Sequence, residues 1–256
     1  MNDYFYKIWI PFHLGLLISI YLVAIEYVHL NWILIGIFWF LIGPIGLGVG
    51  FHRLFSHRQF VTYRMVEYLL AILGTLSAYA SLGIFIANHL YHHKHSDTNE
   101  DPSSSIHGFW HSFFFWKCKH VVYKAIYRRT YPFKMFCKDS FLKFISRYYV
   151  PIIFAYAGML FIIDVNLLVN CFLVPATIEH LRLNCVNYFS HKKCLSSYRN
   201  FTTTDQSYNN LIIGVLGCGF GWHNNHHYND KQLLLWHRWW EIDIEGCIGL
   251  LLTKRN

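Results

Sequence analysis

The sequence predicts an all-α, multi-pass membrane protein with four transmembrane helices and a cytosolic helical cap. First, 54% of the 256 residues are hydrophobic and only 14% are charged, unlike an ordinary soluble globule or a disordered chain. Second, apolar residues concentrate in four long runs. Third, several of the 17 histidines recur at short, regular spacings, which predicts a metal site held by the cap. We expect the whole chain, residues 1–256, to form one domain.

The four apolar runs are close to the ~20 residues that a helix needs to cross a bilayer. They extend over Ile8 to Ile25, Trp32 to Phe51, Tyr149 to Ile163 and Val165 to Val186. The third run is short, and aromatic residues at its start, Tyr148 and Tyr149, can lie at the interface and complete it. The first run ends at Glu26 without a clear small-residue cleavage site, so we interpret it as a retained span and not as a signal peptide.

The distribution of lysine and arginine predicts the orientation of these spans. None of the 22 basic residues lies in the two predicted outer loops, Glu26 to Asn31 and Asp164, whereas Lys117 to Arg147 holds nine. By the positive-inside rule, both termini face the cytoplasm. The basic segment predicts an interfacial face against lipid headgroups, with docking of a protein partner as the alternative.

Cysteine usage points to a reducing setting. The chain has seven cysteines and no C-x-x-C pair, which fits neither a disulfide framework nor a zinc ribbon. A secreted, disulfide-stapled domain is therefore not expected.

Nine of the histidines form a constellation of three boxes and one further residue. The boxes read H-R-L-F-S-H, H-L-Y-H-H and H-N-N-H-H, and the ninth histidine ends N-Y-F-S-H. The nine residues are His52, His57, His89, His92, His93, His191, His223, His226 and His227. Because positions i, i+3 and i+4 share one face of a helix, each H-x-x-H-H places three imidazoles over one turn. Nine imidazoles suit two metal ions, and the ligand type alone leaves zinc, copper, nickel and iron open.

The first box has a different spacing. His52 and His57 are five residues apart and lie about 140° around an ideal α-helix. We therefore expect an unwound helix end at this box. Glycines upstream supply the backbone freedom and close packing that such an end would use. They are Gly43, Gly46, Gly48 and Gly50.

A further apolar segment, Val66 to Ala87, is long enough to cross the membrane but contains Glu67 and several glycine, serine and threonine residues. If it crossed, the second box would lie on the opposite side from the other two. We therefore expect a re-entrant or interfacial hairpin here, and a cytosolic cap made of residues 88–147 and 192–256.

The fourth run carries a polar stripe. His180, Asn184, Asn187 and His191 recur at i, i+4, i+7 and i+11 of an otherwise apolar helix, and polar groups at membrane depth usually face a cavity or a partner. Charged neighbours off this stripe are expected to snorkel to the interface or to form pairs. They are Glu179 and Arg182.

Four motifs occur together in this sequence: H-R-L-F-S-H, H-x-x-H-H followed by K-H-S-D-T-N-E-D-P, N-x-x-x-H, and G-W-H-N-N-H-H. With this combination the chain resembles the membrane fatty acyl desaturases of the stearoyl-CoA (delta-9) desaturase type, bacterial members included. The resemblance extends from about Gly43 to the C-terminus. It implies that the nine histidines bind two iron ions and that Asn187 holds a metal-bound water. By helix facing, we expect His89 and His93 to share one iron and His92 to turn to the other. The resemblance also implies an oxygen-dependent reaction that introduces a cis double bond into a saturated acyl chain, with dioxygen as co-substrate.

The resemblance also implies partners. No H-P-G-G cytochrome b5 signature, G-x-G-x-x-G loop or cysteine quartet occurs in the sequence, so we expect an external electron donor of the ferredoxin or cytochrome b5 type. Membrane lipid is a further expected partner, and nucleic acid is not.

Two departures from the family concern the substrate. Ala87 and Asn88 stand where animal acyl-CoA members carry an Arg-Asp pair that contacts CoA, so an acyl-CoA and an acyl-lipid substrate both remain open, as does a carrier-protein-linked chain. Lys117 and Lys119 could still reach a phosphate. Asn184 replaces a tryptophan that lines the tunnel in animal members.

Two other functions compete with this interpretation. The first is a di-iron membrane hydroxylase of alkyl or sterol substrates, and the second is a non-catalytic membrane metal-binding protein. Transport would call for ligands spaced along a path through the bilayer, whereas these cluster at one face.

Outside the boxes the expected roles are more ordinary. Asp97 and Asp101 could orient imidazoles or serve as caps, and Trp239 and Trp240 are expected to be interfacial anchors. We expect structural roles for the remaining histidines considered, His13, His29, His95, His107, His111, His120, His180 and His237.

Overall fold

The computed structural model describes residues 5–116 and 130–254 and is mostly helical over them. Lys117, Lys119, His120 and the rest of residues 117–129 lie outside the described residues, so the expectations placed there stay expectations. A short antiparallel pair of two-residue strands, β1 (Ser197–Tyr198) and β2 (Asn209–Asn210), is the departure from the predicted all-α class.

The first two predicted spans form long helices. After a π-helical turn over Phe5–Trp9, α1 covers Ile10–Ala24, and α2 covers Trp32–Phe40 and continues as a π-helix over Leu41–Ser56. Two stretches, Lys7–Ala24 and Trp32–Ser56, are long and apolar enough to cross a membrane.

The helices between the boxes are shorter. They are α3 (Arg64–Leu76), α4 (Leu82–His95), a 3₁₀ turn (Ser105–His107), a π-helical turn (His111–Phe115), α5 (Tyr131–Lys138), α6 (Ser140–Arg147) and α7 (Tyr149–Ile163). The helices α6 and α7 meet at a bend of 69° and would make a third span if they count as one. The fourth predicted run is α8, helical through the consecutive segments Val165–Leu168, Val169–Leu173 and Val174–Phe189.

The C-terminal part contains α9 (Leu211–Leu216), α10 (His223–Tyr228) and α11 (Ile244–Leu252). The two strands lie in the segment that joins α8 to α9, and Asn209 also forms a bridge with Trp222, next to the third histidine box. This segment is therefore held against the start of α10.

The expected unwound end at the first box is wrong, because the helix stays wound as a π-helix. Its i→i+5 hydrogen bonds include one from the His57 N–H to the His52 carbonyl, at 3.1 Å. This winding returns the residue five positions later to nearly the same face. The two imidazole rings accordingly lie 4.9 Å apart, centroid to centroid.

The segment predicted as a hairpin is divided into α3 and α4. The break covers residues 77–81 and contains Ala78 in a left-handed conformation (φ 56°). Two helices separated by such a break are compatible with the expected hairpin, and its depth in the membrane stays a prediction.

Glycines of the second span make room for charged and backbone groups of other helices. A Cβ on Gly43 would overlap the Glu179 carboxylate, and one on Gly48 would overlap the Glu245 carboxylate. Gly46 lies against the backbone of Gly74 in α3. These glycines therefore allow close packing, as expected, and each allows it against a particular neighbouring group.

Replacing Gly48 with alanine is expected to destabilise the protein by about 1–3 kcal/mol, since the added methyl group overpacks a buried site. Gly158 in α7 is a matched control, because a Cβ there would meet nothing within 4 Å. Thermal unfolding in detergent measures both variants. Equal melting temperatures for Gly48→Ala and Gly158→Ala would contradict the packing described here.

A buried ion network joins the second span, α8 and α11. Arg182 donates to Glu179 at 2.8 Å and to Glu245 at 2.7 Å, and Arg53 donates to Asp243 at 2.8 Å. All five side chains are almost fully buried. Of the two expectations for Glu179 and Arg182, pairing is the one that the structure shows.

Candidate metal centre

The structure brings the nine boxed histidines together in two groups. Within each group, one possible ligand atom per residue lies within 4.8 Å of the others. The five-histidine group is His52, His57, His89, His93 and His226, and the four-histidine group is His92, His191, His223 and His227. The two groups are adjacent, since the His93 and His227 rings stack with centroids 4.4 Å apart.

Helix geometry explains how the boxes are divided. On α4, His89 and His93 are one turn apart and join the five-histidine group, while His92 points to the other group. This is the division that helix facing predicts for the second box. On α10, His226 belongs to the five-histidine group, and His223 and His227 belong to the four-histidine group.

The ring nitrogens face each other at close range. In the five-histidine group, the Nε2–Nε2 distance is 2.6 Å between His57 and His89 and 3.0 Å between His52 and His226. In the four-histidine group, the Nε2 atoms of His191 and His223 are 2.9 Å apart. Such pairs of neutral nitrogens are favourable only where a proton or a metal ion lies between them.

Carboxylates lie behind four of the imidazoles. The Nδ1 atoms and carboxylate oxygens are paired as His57 with Asp230 (3.0 Å), His92 with Asp101 (2.8 Å), His191 with Asp97 (3.0 Å) and His227 with Asp205 (2.6 Å). An Nδ1–H that donates to a carboxylate leaves Nε2 with a free lone pair, the form that a metal ion requires. These contacts place Asp97 and Asp101 where an orienting role requires them.

Asp205 and Asp230 were not identified from the sequence. Asp230 follows the third box by three residues, a signal that could have found it, whereas Asp205 lies 22 positions before its partner His227. Only the fold brings Asp205 to the site.

Burial keeps most of these imidazoles neutral. It lowers the pKa of His89, His93, His223 and His226 well below the usual value of 6.5, and neighbouring imidazoles lower it further. Burial also lowers the pKa of His227, to about 4. Neutral, water-excluded imidazoles are ready to bind metal without first losing a proton.

His92 differs from His223 and His227 of its group. Burial lowers its pKa, but the Asp101, Asp97 and Asp205 carboxylates together raise it by more, and the net direction is upward. The Nε2 atoms of His92 and His227 are buried and have no hydrogen-bond partner among the described residues. Both nitrogens are therefore available as ligand atoms.

Replacing Asp205 with asparagine is expected to lower metal affinity by roughly 10- to 100-fold, because the amide no longer fixes the His227 tautomer as a carboxylate does. Competition with a chelator, read as metal retained per protein, measures this change. Asp164→Asn, at an exposed carboxylate after α7, is the control and should retain metal like the wild type. Equal retention by the two variants would remove Asp205 from this role.

The asparagines of the third box hold the surrounding loops, which the sequence did not reveal. Asn224 Oδ1 accepts from the backbone N–H groups of Asn200 and Phe201, both at 2.9 Å. Asn225 Nδ2 donates to the fully buried Glu241 carboxylate at 3.0 Å. These bonds fix the segment that carries Asp205 relative to α10.

The polar stripe of α8 leads away from the four-histidine group. Asn187 lies one turn before His191 and is half-buried, with Nδ2 donating to the Tyr79 hydroxyl at 3.4 Å. Farther along, Asn184 lines a small cavity of about 60 Å³ together with His13 and His180. A metal-bound water at Asn187 stays an implication of the resemblance.

The remaining described histidines lie outside both groups. Those that hydrogen-bond to backbone carbonyls or side chains through a ring nitrogen are His13, His95, His107, His111, His180 and His237. His29 forms hydrogen bonds through its backbone, to the side chains of Asn166 and Asn170. These contacts agree with structural roles.

Cysteines contribute nothing to either group among the described residues. The six described cysteines are all free thiols. The metal-binding candidates are therefore imidazoles, supported by carboxylates.

Comparison with known proteins gives one consistent result. Residues 30–241 match the family model described as fatty acid desaturase. The sn-1 stearoyl-lipid 9-desaturase of Anabaena variabilis is 32% identical, over 88% of this chain and 82% of that protein.

The names of two further relatives include other acyl carriers. The acyl-CoA C20 Delta5-desaturase of Anemone leveillei is 32% identical, over 82% of this chain and 67% of that protein. The hex-5-enoyl-[acyl-carrier protein] acetylenase of Moorena producens is 30% identical, over 82% of this chain and 70% of that protein. The paired histidine groups and a family match that covers most of the chain lead to one conclusion: this chain belongs to the fatty acid desaturase family and is an oxidoreductase.

Proposed function

We propose that this protein is an oxygen-dependent desaturase that introduces a cis double bond, at the delta-9 position, into a saturated acyl chain at a di-iron centre. The observation that carries the proposal is the convergence of nine imidazoles in two adjacent groups of five and four. The substrate is an acyl-lipid or an acyl-CoA, two of the three carriers that the names of the relatives include.

The residues present fit a pair of metal ions. Each group offers at least four nitrogen donors in a buried setting, and imidazole is a suitable ligand for iron. Neutral imidazoles carry no negative charge to offset the positive charge of a metal ion. The four carboxylates behind them carry negative charge that compensates two cations, so the site as a whole suits a pair of metal ions.

The bound metal pair would supply the chemistry by which dioxygen oxidises two adjacent methylenes. The overall reaction consumes dioxygen, two external electrons and two protons, removes two hydrogens from the acyl chain and releases two waters. A ferredoxin or cytochrome b5 type donor would provide the electrons.

The chain's own residues would orient the ligands and exclude water. Phe220 packs 4.8 Å from the His52 ring and Phe85 stacks 5.7 Å from the His89 ring, between ring centroids. These apolar groups keep the site dry, which strengthens every electrostatic interaction in it. Asn187, one turn before His191, would position a water beside the four-histidine group.

The same proposal includes a membrane arrangement. Four helices would cross the bilayer, with both termini and the histidine groups on the cytoplasmic side. The two spans that length and composition support, and the excess of basic residues between residues 117 and 147, favour this topology.

Expression in a desaturase-deficient cell, followed by mass spectrometry of its lipids, tests the function. We expect a new cis double bond, and the mass of the lipid carrying it identifies chain length, bond position and carrier together. A hydroxylated product without unsaturation would favour a hydroxylase instead. Metal uptake without any change in lipids would favour a non-catalytic metal-binding protein.

A further inference from the structure

The C-terminal helices are apolar on the outside. Ten large apolar side chains are exposed in α9, in α11 and in residues 236–242 before α11, and those of each helix lie on one face. They are Leu211, Ile212, Val215, Leu216, Trp236, Trp239, Ile242, Ile244, Leu250 and Leu251. On an ordinary water-exposed helix this face would be polar.

The charged groups in and just before α11 point inward. Glu241, Asp243 and Glu245 are the only acidic or basic residues between residues 239 and 253, and all three are fully buried. Glu245 lies on the inner face of α11, whereas Leu251 on the outer face is 80% exposed. Such an inverted distribution is expected where the surroundings are hydrocarbon.

The packing partners place these helices against two of the proposed spans. Glu245 lies against Gly48 within the second span, Trp32–Ser56. The Gly217 carbonyl that ends α9 accepts from Arg182 in α8. Both C-terminal helices therefore pack directly on helices that the proposed function places in the bilayer.

The far end of α11 returns toward the first histidine box. The Lys254 N–H donates to the Val61 carbonyl at 2.8 Å, and the Thr62 hydroxyl donates to the Leu252 carbonyl at 2.6 Å. The helix therefore runs from the level of Gly48 back to the segment that follows the spans.

We propose that the outer faces of α9 and α11 contact the acyl chains of the bilayer leaflet on the histidine side. This inference rests on the membrane placement of α2 and α8 in the proposed function. The helices that carry the exposed apolar faces pack on those spans, α9 contains no acidic or basic residue, and the one charged residue of α11, Glu245, is buried. The water-exposed part of the predicted cap then excludes the outer faces of α9 and α11 and includes the turn at Leu195.

Footprinting in lipid nanodiscs of phosphatidylcholine tests the placement without relying on metal or activity. Hydroxyl radicals generated in water should oxidise Leu195, which is 83% exposed, and spare Leu251, which is 80% exposed. A phosphatidylcholine carrying a diazirine on its acyl chain should cross-link peptides containing residues 211–216 and 244–251, and not the peptide containing Leu195.

Three results would overturn the proposal. One is equal oxidation of Leu195 and Leu251, and another is an absence of lipid cross-links at α9 and α11. The third is protection of Leu251 by a second copy of this chain. It would appear as a dimer in detergent in which Leu251 stays protected, while no lipid cross-links form.

A pair of variants gives an independent measurement. Leu251→Lys should lower the melting temperature in nanodiscs, because a charge in hydrocarbon is costly, whereas Leu195→Lys should leave it unchanged. Equal melting temperatures would count against the proposal. If the cross-links appear but no double bond forms in the cell assay, the proposed function fails and this surface assignment stands.

Discussion

Replacing His92 with alanine is expected to abolish double-bond formation. His92 belongs to the four-histidine group, whose four nitrogens leave no spare imidazole to replace it. Its ring is buried and hydrogen-bonded to Asp101, so removal also leaves a buried carboxylate without its partner. The affected ion should be lost while the five-histidine group retains its own.

Two measurements check this expectation. Lipid analysis in the desaturase-deficient cell should show no unsaturated product, and elemental analysis of the purified variant should show about half the wild-type iron. His237→Ala is the matched control, because this histidine is exposed and its ring hydrogen-bonds to Gln232, outside both histidine groups. Normal unsaturation in His92→Ala would refute the di-iron proposal.

Replacing Arg182 with methionine is expected to cost about 3–5 kcal/mol of stability, because it removes the cation that pairs with the buried Glu179 carboxylate and leaves Glu245 with the more distant Arg53, at 3.6 Å. Glu179 and Glu245 are both fully buried, and each bonds directly to the Arg182 guanidinium. Thermal unfolding in detergent measures the loss. Arg147→Met, at an exposed arginine, is the control and should unfold near the wild-type temperature.

The effect of Arg182→Met should depend on pH. Burial raises the pKa of Glu245 to about 7 even in the presence of Arg182. A carboxyl with a raised folded-state pKa destabilises the fold increasingly as pH rises from its ordinary value of 4.5 to its folded value. Without the guanidinium this penalty grows, so the variant should recover stability as pH falls.

A second substitution separates charge from packing. In Arg182→Met with Glu245→Gln, one of the two carboxylates that lost the guanidinium is neutralised, and part of the lost stability should return. If the double variant is no more stable than the single one, the loss arises from packing and not from the buried charge.

Local spacing in the sequence anticipated the division of the second box. An i, i+3, i+4 pattern on one helix places His89 and His93 together and turns His92 away, and the structure has this arrangement. The five-residue spacing of the first box misled us, because an α-helix was assumed. The π-helix between Leu41 and Ser56 brings His52 and His57 together without unwinding.

Long-range partners were not visible in the sequence. Asp205 reaches His227 because the segment between α8 and α9 is held by Asn224, and nothing in local spacing encodes that contact. The same is true of Arg53 and Asp243, which are 190 residues apart in the chain and pair in the buried network.

The sequence by itself determined the membrane class and the nine candidate ligands, and it predicted that these ligands hold two metal ions. It could do so because apolar run length and helical spacing are local properties of a chain. Tertiary structure alone decided which carboxylate faces which imidazole, which carboxylates Gly43 and Gly48 accommodate, and which face of the C-terminal helices points outward. These features depend on how distant segments pack, since a buried charge or ring nitrogen is stable only beside the partner that folding brings to it.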